Sequence, residues 1–138
     1  MKELFQHWLI IKEEKSMPAR RDFQPSDVPH LLPHIVLLDV EYNPRRYRSR
    51  LVGTETVKAV GWDTTGHYLD DRSRMAESIR RHDWLVENKK PYLYSGALNW
   101  SEKSFLNYTA MGLPFAENGD QVDIIMYGMF YTFPETDS

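Results

Sequence analysis

The period of the apolar residues changes along the chain, and each change marks an element. Leu4, Phe5, Trp8, Leu9 and Ile11 recur at spacings of three and four, and Lys and Glu take over after Ile11. That predicts an amphipathic helix over residues 3 to 16, ended before Pro18. Prolines at 25, 29 and 33 then allow only a short helical turn beginning near Pro25, in a connector packed by Phe23, Leu31 and Leu32. Residues 35 to 41 and 46 to 53 read as strands around the turn residues YNPR. A short helix follows Gly53, capped by Thr54 and closed by Gly61. Residues 72 to 89 form a longer helix, capped by Asp70 or Asp71, with a stripe of Met75, Ile79, Leu85 and Val86 and with His82 and Trp84 in or beside it. Strands over 91–99, 104–115 and 122–133 close the chain, joined by WSEK and AENGDQ as hairpin linkers.

The first two strands carry the densest charge. A tight turn at Asn43 and Pro44 pairs residues whose numbers sum to 87, so Glu41 faces Arg46 and Asp39 faces Arg48 on one side. On the other side Val40 faces Tyr47, Leu38 faces Ser49 and Val36 faces Leu51, which makes that side the core face. A slip by one residue would turn the arginines inward, so charge alternation helps set the register. Arg50, opposite Leu37, is left without a cross-strand acid.

The last strand is apolar or aromatic on both alternations, with Ile124, Met126 and Phe130 on one and Ile125, Tyr127, Met129 and Tyr131 on the other. Its sheet must be covered on both sides or form an interface. The first helix is the available cover, either within the chain or across a dimer. A homodimer through Leu4, Phe5, Trp8 and Leu9 is the expectation.

Composition then narrows the classes. Seventeen Lys and Arg against twenty Asp and Glu give a net charge of -3, with no general attraction to nucleic acid or an acidic membrane. With no cysteine there are no disulfides, thiolate metal sites or thiol nucleophiles. The one apolar run near the start, Trp8 to Ile11, is too short for a signal-peptide core or a membrane span, so a cytoplasmic location is expected. Glycine-rich phosphate loops, nucleophile elbows and zinc-hydrolase motifs are missing, and no catalytic residue is assigned. No histidine pair has strong metal-ligand spacing, because Pro33 interrupts the one four-residue pair, His30 and His34.

The element order, helix, two strands, short helices, longer helix, three strands, resembles that of a PAS domain. Local motifs strengthen this: Trp8, MPARRDFQP at 17–25, HLLPHI at 30–35, YRSRLVGT at 47–54, GWDTTG at 61–66 and LPFAENGDQVDII at 113–125 resemble a bacterial family of PAS-like regulatory proteins along nearly the whole chain. The resemblance implies an α+β fold, a five-stranded antiparallel sheet with helices packed on one face. It makes 1–138 one domain, with the N-terminal helix and connector over 1–33 and the PAS core over 34–133. Where such proteins tend to carry a large, often aromatic residue this chain has Ser49, which predicts a larger cavity or an added hydroxyl there.

The implied function is sensing without turnover: a small ligand between sheet and helices, a signalling protein partner, or both. A chain ending at Ser138 without an output domain would pass its signal through a partner or an oligomer. The expected ligand site comprises Tyr47, Ser49 and Leu51 from the second strand, Trp62, His67 and Tyr68 from the turn segment, and Met75, Ile79 and Trp84 from the longer helix. The cofactor is left open. Haem through His67 or His82, or a flavin, is less favoured than ordinary hydrogen-bonded histidines and a core filled by these side chains. A pure interaction module and a small cofactor-free α+β enzyme stand as alternatives.

Overall fold

A computed structural model describes residues 2–72, 74–98 and 107–132. Helix α1 (Lys2–Lys12) is followed by three short 3₁₀ turns, Arg20–Asp22, Pro25–Asp27 and Pro29–His34. Prolines open the last two turns, where a missing amide proton costs nothing. Strands β1 (Ile35–Glu41) and β2 (Arg46–Val52), helix α2 (Thr54–Val60), a 3₁₀ turn at Leu69–Asp71, helix α3 (Ala76–Asn88) and strands β3 (Tyr92–Ala97), β4 (Asn107–Phe115) and β5 (Ile124–Thr132) complete the order. The five strands form one antiparallel sheet in the order β2-β1-β5-β4-β3. The element order expected from sequence is therefore present, and the WSEK linker lies outside the described residues.

The sheet is covered on both faces within one chain. On its outer face Leu4 and Trp8 of α1 are buried at 1% and 4% exposure, and the Trp8 indole N–H donates to the Pro114 carbonyl at 3.0 Å. Gly128 of β5 lets the helix this close: a Cβ there would lie 2.7 Å from Leu4 Cδ2. His34 stacks on Phe130 at 4.3 Å and hydrogen-bonds the Met129 carbonyl at 3.0 Å, so the Pro29–His34 turn seals the same face. This places Leu4 and Trp8 in the chain's own core and takes them out of any dimer surface. Phe5 packs partly against that core, while Leu9 and Ile10 remain exposed.

The β1–β2 register follows the predicted pairing from Glu41↔Arg46 to Leu38↔Ser49 and then shifts by one, to Leu37↔Leu51 and Val36↔Val52. A bulge at Arg50 absorbs the extra residue and reverses the alternation beyond it. Leu51 consequently turns to the outer face, where it is 45% exposed, and Val52 takes the inner position expected for it. The bulge also brings Arg50 to Asp39, Nη1 to Oδ1 at 3.1 Å, so Arg50 has the acid that strict alternation denied it. Arg46, though opposite Glu41, reaches instead to Asp70 and Asp71 across the Tyr68 ring. Those two aspartates therefore hold Arg46 rather than cap α3, which begins at Ala76 behind Met75. The cap expected at Thr54 is likewise one residue early, at Gly53, while Gly61 closes α2 at φ +100° as anticipated.

Candidate functional site

The inner face of the sheet and the helical layer enclose a cavity of about 80 Å³. Its floor comes from inward-facing residues of all five strands: Val36 and Leu38 of β1, Ser49 and Val52 of β2, Tyr92 of β3, Tyr108 and Ala110 of β4, and Tyr127 and Met129 of β5. This decides which alternation of the last two strands faces inward. Its roof comes from Thr56 and Val60 of α2, Thr64 and Leu69 of the following segment, Arg72 and Met75 ahead of α3, and Ser78, Arg81 and His82 of α3.

Helix α3 explains why the cavity exists. Its buried residues are Ser78, His82, Leu85 and Val86, which continue a line from Met75 at steps of three and four. Hydropathy alone favours the line through Ile79 and Trp84, yet Trp84 is 46% exposed and rests edge-on against Tyr92, and Ile79 is only partly buried outside the cavity. Small and polar side chains thus sit over the sheet where large apolar ones would fill it.

The polar groups are organised as a network. His82 Nδ1 lies 2.5 Å from the Tyr127 hydroxyl, which lies 2.7 Å from the Tyr92 hydroxyl. Burial, and then the charge of Arg81, pushes His82 down to about 3, so its imidazole is neutral at ordinary pH. Burial pushes Tyr92 up to about 12 and Tyr127 well above its usual value, so both keep their protons. Tyr47, buried beside His82, donates to Asp83 at 2.5 Å, and burial followed by that carboxylate raises its pKa far above the ordinary range. Arg81 Nη2 donates to the Tyr108 hydroxyl at 2.9 Å and to Ser78 Oγ at 3.2 Å, and its guanidinium lies 3.8 Å from the Tyr94 ring centre.

Of the nine expected ligand residues, Ser49 and Met75 line this cavity. Tyr47 is buried behind it against His82. The bulge sends Leu51 to a separate outer cleft with Phe23, Leu32, Leu37 and Met126. Trp62 and His67 are exposed and pack edge to face at 5.1 Å, and Tyr68 donates to Glu41 at 2.8 Å on the hairpin surface. Their segment pairs with the edge of β2 through Ser49 N–H to the His67 carbonyl and Gly66 N–H to the Ser49 carbonyl. The segment thus covers a strand edge, and its aromatic side chains point away from the cavity. Sequence reasoning missed Ser78, Arg81, Tyr92, Tyr108 and Tyr127 as lining residues. The spacing Met75, Ser78, His82, Leu85 could have found two neighbours of the cavity, had polar residues been allowed on a buried face.

Haem or flavin does not fit. Pockets for drug-sized ligands run to roughly 300–1,000 Å³, far more than the space in this cavity, and His67 lies outside it. Among the described residues no cluster of His, Asp and Glu could hold a metal, and no helix is long and apolar enough to cross a membrane.

A sheet of this order, with an internal cavity under its helical layer, defines a sensor-type α+β domain. The chain belongs to the PAS domain family, whose model matches residues 1–126. No curated protein matches it. A crystal structure described as a sensory box sensor histidine kinase from Vibrio cholerae is similar in fold, at a TM-score of 0.54 and 14% identity over 80% of this chain and 90% of that one. Membership makes the chain a sensory or regulatory signalling module of a generally non-catalytic kind.

Proposed function

We propose that the protein is a non-catalytic sensor that binds a small molecule in the cavity under α3 and reports it to a signalling partner. The observation that carries this is the cavity itself, about 80 Å³ with apolar walls and convergent hydroxyl, imidazole and guanidinium groups. At on the order of 15 Å³ for each water-sized group, it suits a ligand of roughly five heavy atoms. Ser49, 2% exposed, opens part of this space.

Strand β5 supplies a route outward. Tyr127 and Met129 face the cavity, and Gly128 between them lies under Leu4 of α1 on the opposite face. A ligand that moves β5 therefore presses on α1. The exposed Leu9 and Ile10 of that helix offer a surface for a partner or a second copy, in place of the Leu4 and Trp8 expected from sequence.

Native mass spectrometry and an absorbance spectrum of freshly purified protein test the reading. A small retained mass without a visible band is the expected result. A visible band would show a chromophore the cavity does not fit. Ser49→Phe, which fills the space, should abolish ligand-dependent stabilisation. If Ser49→Phe folds and signals unchanged, the cavity is not a sensing site and the alternative, an interaction module using the α1 surface, takes its place.

A further inference from the structure

The arginines of the β1–β2 hairpin and Arg81 of the cavity differ in what meets them. Arg45, Arg46, Arg48 and Arg50 of the β1–β2 hairpin each meet a carboxylate: Asp83 and Glu87, Asp70 and Asp71, Asp39, and Asp39 again. Arg81, on the cavity wall, is different. Arg81 is met by two neutral hydroxyls and an aromatic face, and among the described residues no Asp or Glu lines the cavity. Arg72 lines the same wall, with its guanidinium 5.8 Å from the Trp62 ring centre. A guanidinium carries five donors in a planar fork and cannot lose its charge, so a half-buried one answered only by dipoles is suited to an anion. A carboxylate fits that fork with two parallel hydrogen bonds.

We propose that the cavity binds a short-chain organic monocarboxylate, its acid group on Arg81 and its hydrocarbon part among Leu38, Met75, Ala110 and Met129. This rests on the ligand-sensing reading above and adds the class of ligand to it. The volume sets the length: about 80 Å³ admits roughly five heavy atoms beyond any adjustment of the flexible Met75 and Met129. Tyr108 is placed to share the anion, because its hydroxyl already contacts Arg81.

The test is a thermal-shift titration of the whole chain with sodium propionate, butyrate and valerate, against butyramide and sodium chloride at matched ionic strength. The expected result is a saturable rise of about 9 °C with at least one acid near 100-fold its Kd, and binding of butyramide at least about 10-fold weaker than butyrate. Arg81→Gln should weaken acid binding by about 10-fold or more, Arg81→Lys by less, and Ala110→Leu should abolish binding of acid and amide alike. Equal binding of butyrate and butyramide overturns the carboxylate assignment and leaves the ligand-binding reading standing. No saturable shift with any acid or with the amide overturns both. If Arg81→Gln does not fold, the comparison of acid with amide on the unaltered chain decides.

Discussion

His82 shows how a residue that its type leaves open between surface and core is explained by place. The ordinary hydrogen-bonded histidine favoured from sequence is here a neutral member of a buried face. Unfolded, it takes a proton near 6.5; folded, only near 3. Between those values the unfolded chain holds more protons, so stability is complete above pH 6.5 and falls as the pH drops toward 3. We expect the urea-derived stability of the protein to lose up to about 1.4 kcal/mol more per pH unit in that window than His82→Gln does. Parallel slopes for the two proteins would show that His82 titrates normally. Gly53 is the second residue whose reason is local. A Cβ there would lie 2.4 Å from the Pro33 carbonyl oxygen and 2.8 Å from that of Ile35, both backbone atoms. Gly53→Ala should cost about 3 kcal/mol, read as a lower denaturant midpoint at unchanged slope. The Leu-Val-Gly-Thr motif thus owes its glycine to a close approach of the Pro29–His34 turn, which is invisible in the motif alone.

Helix α1 was legible in the sequence as an element but not as a partner. Its stripe of Leu4, Phe5, Trp8 and Leu9 is amphipathic either way, and only the bare backbone at Gly128 shows where it docks. Trp8→Ala should therefore destabilise the fold by about 3–5 kcal/mol, since it empties a buried site and leaves the Pro114 carbonyl without its donor. By contrast, Leu9→Glu with Ile10→Glu should leave the denaturation midpoint within about 0.5 kcal/mol. If sedimentation shows the protein as a dimer and this pair leaves it one, the α1 surface is not the interface. Strand β2 gives the converse case. Its register was readable from charges as far as Ser49, because a one-residue slip would have buried arginines. The bulge beyond was not readable, since it conserves the charges while reversing the apolar pattern at Leu51 and Val52.

In the whole molecule, the two-sided apolar character of β5 reports its position in the middle of the sheet, between β1 and β4, with α1 on one face and the helical layer on the other. Element order, the core strands, the first half of the hairpin register and the membership motifs were all properties of the linear chain. They follow from the period of apolar residues, from proline and glycine placement and from the cost of burying unpaired charge, each of which acts over a few residues. The cavity is of another kind. It requires Ser49, Ser78, Ala110 and Met129 to meet from four separate elements, and no spacing along the chain relates them. Which arginines find acids is equally a tertiary matter: Arg46 meets Asp70 and Asp71 only because the Leu69–Asp71 turn folds beside β2, and Arg81 meets none among the described residues because α3 turns it toward the sheet. Local patterning decides the elements because backbone and burial preferences are summed along the chain. The space left between those elements is set by side-chain volumes contributed from distant positions, so only the assembled structure could show where it lies and which charges border it.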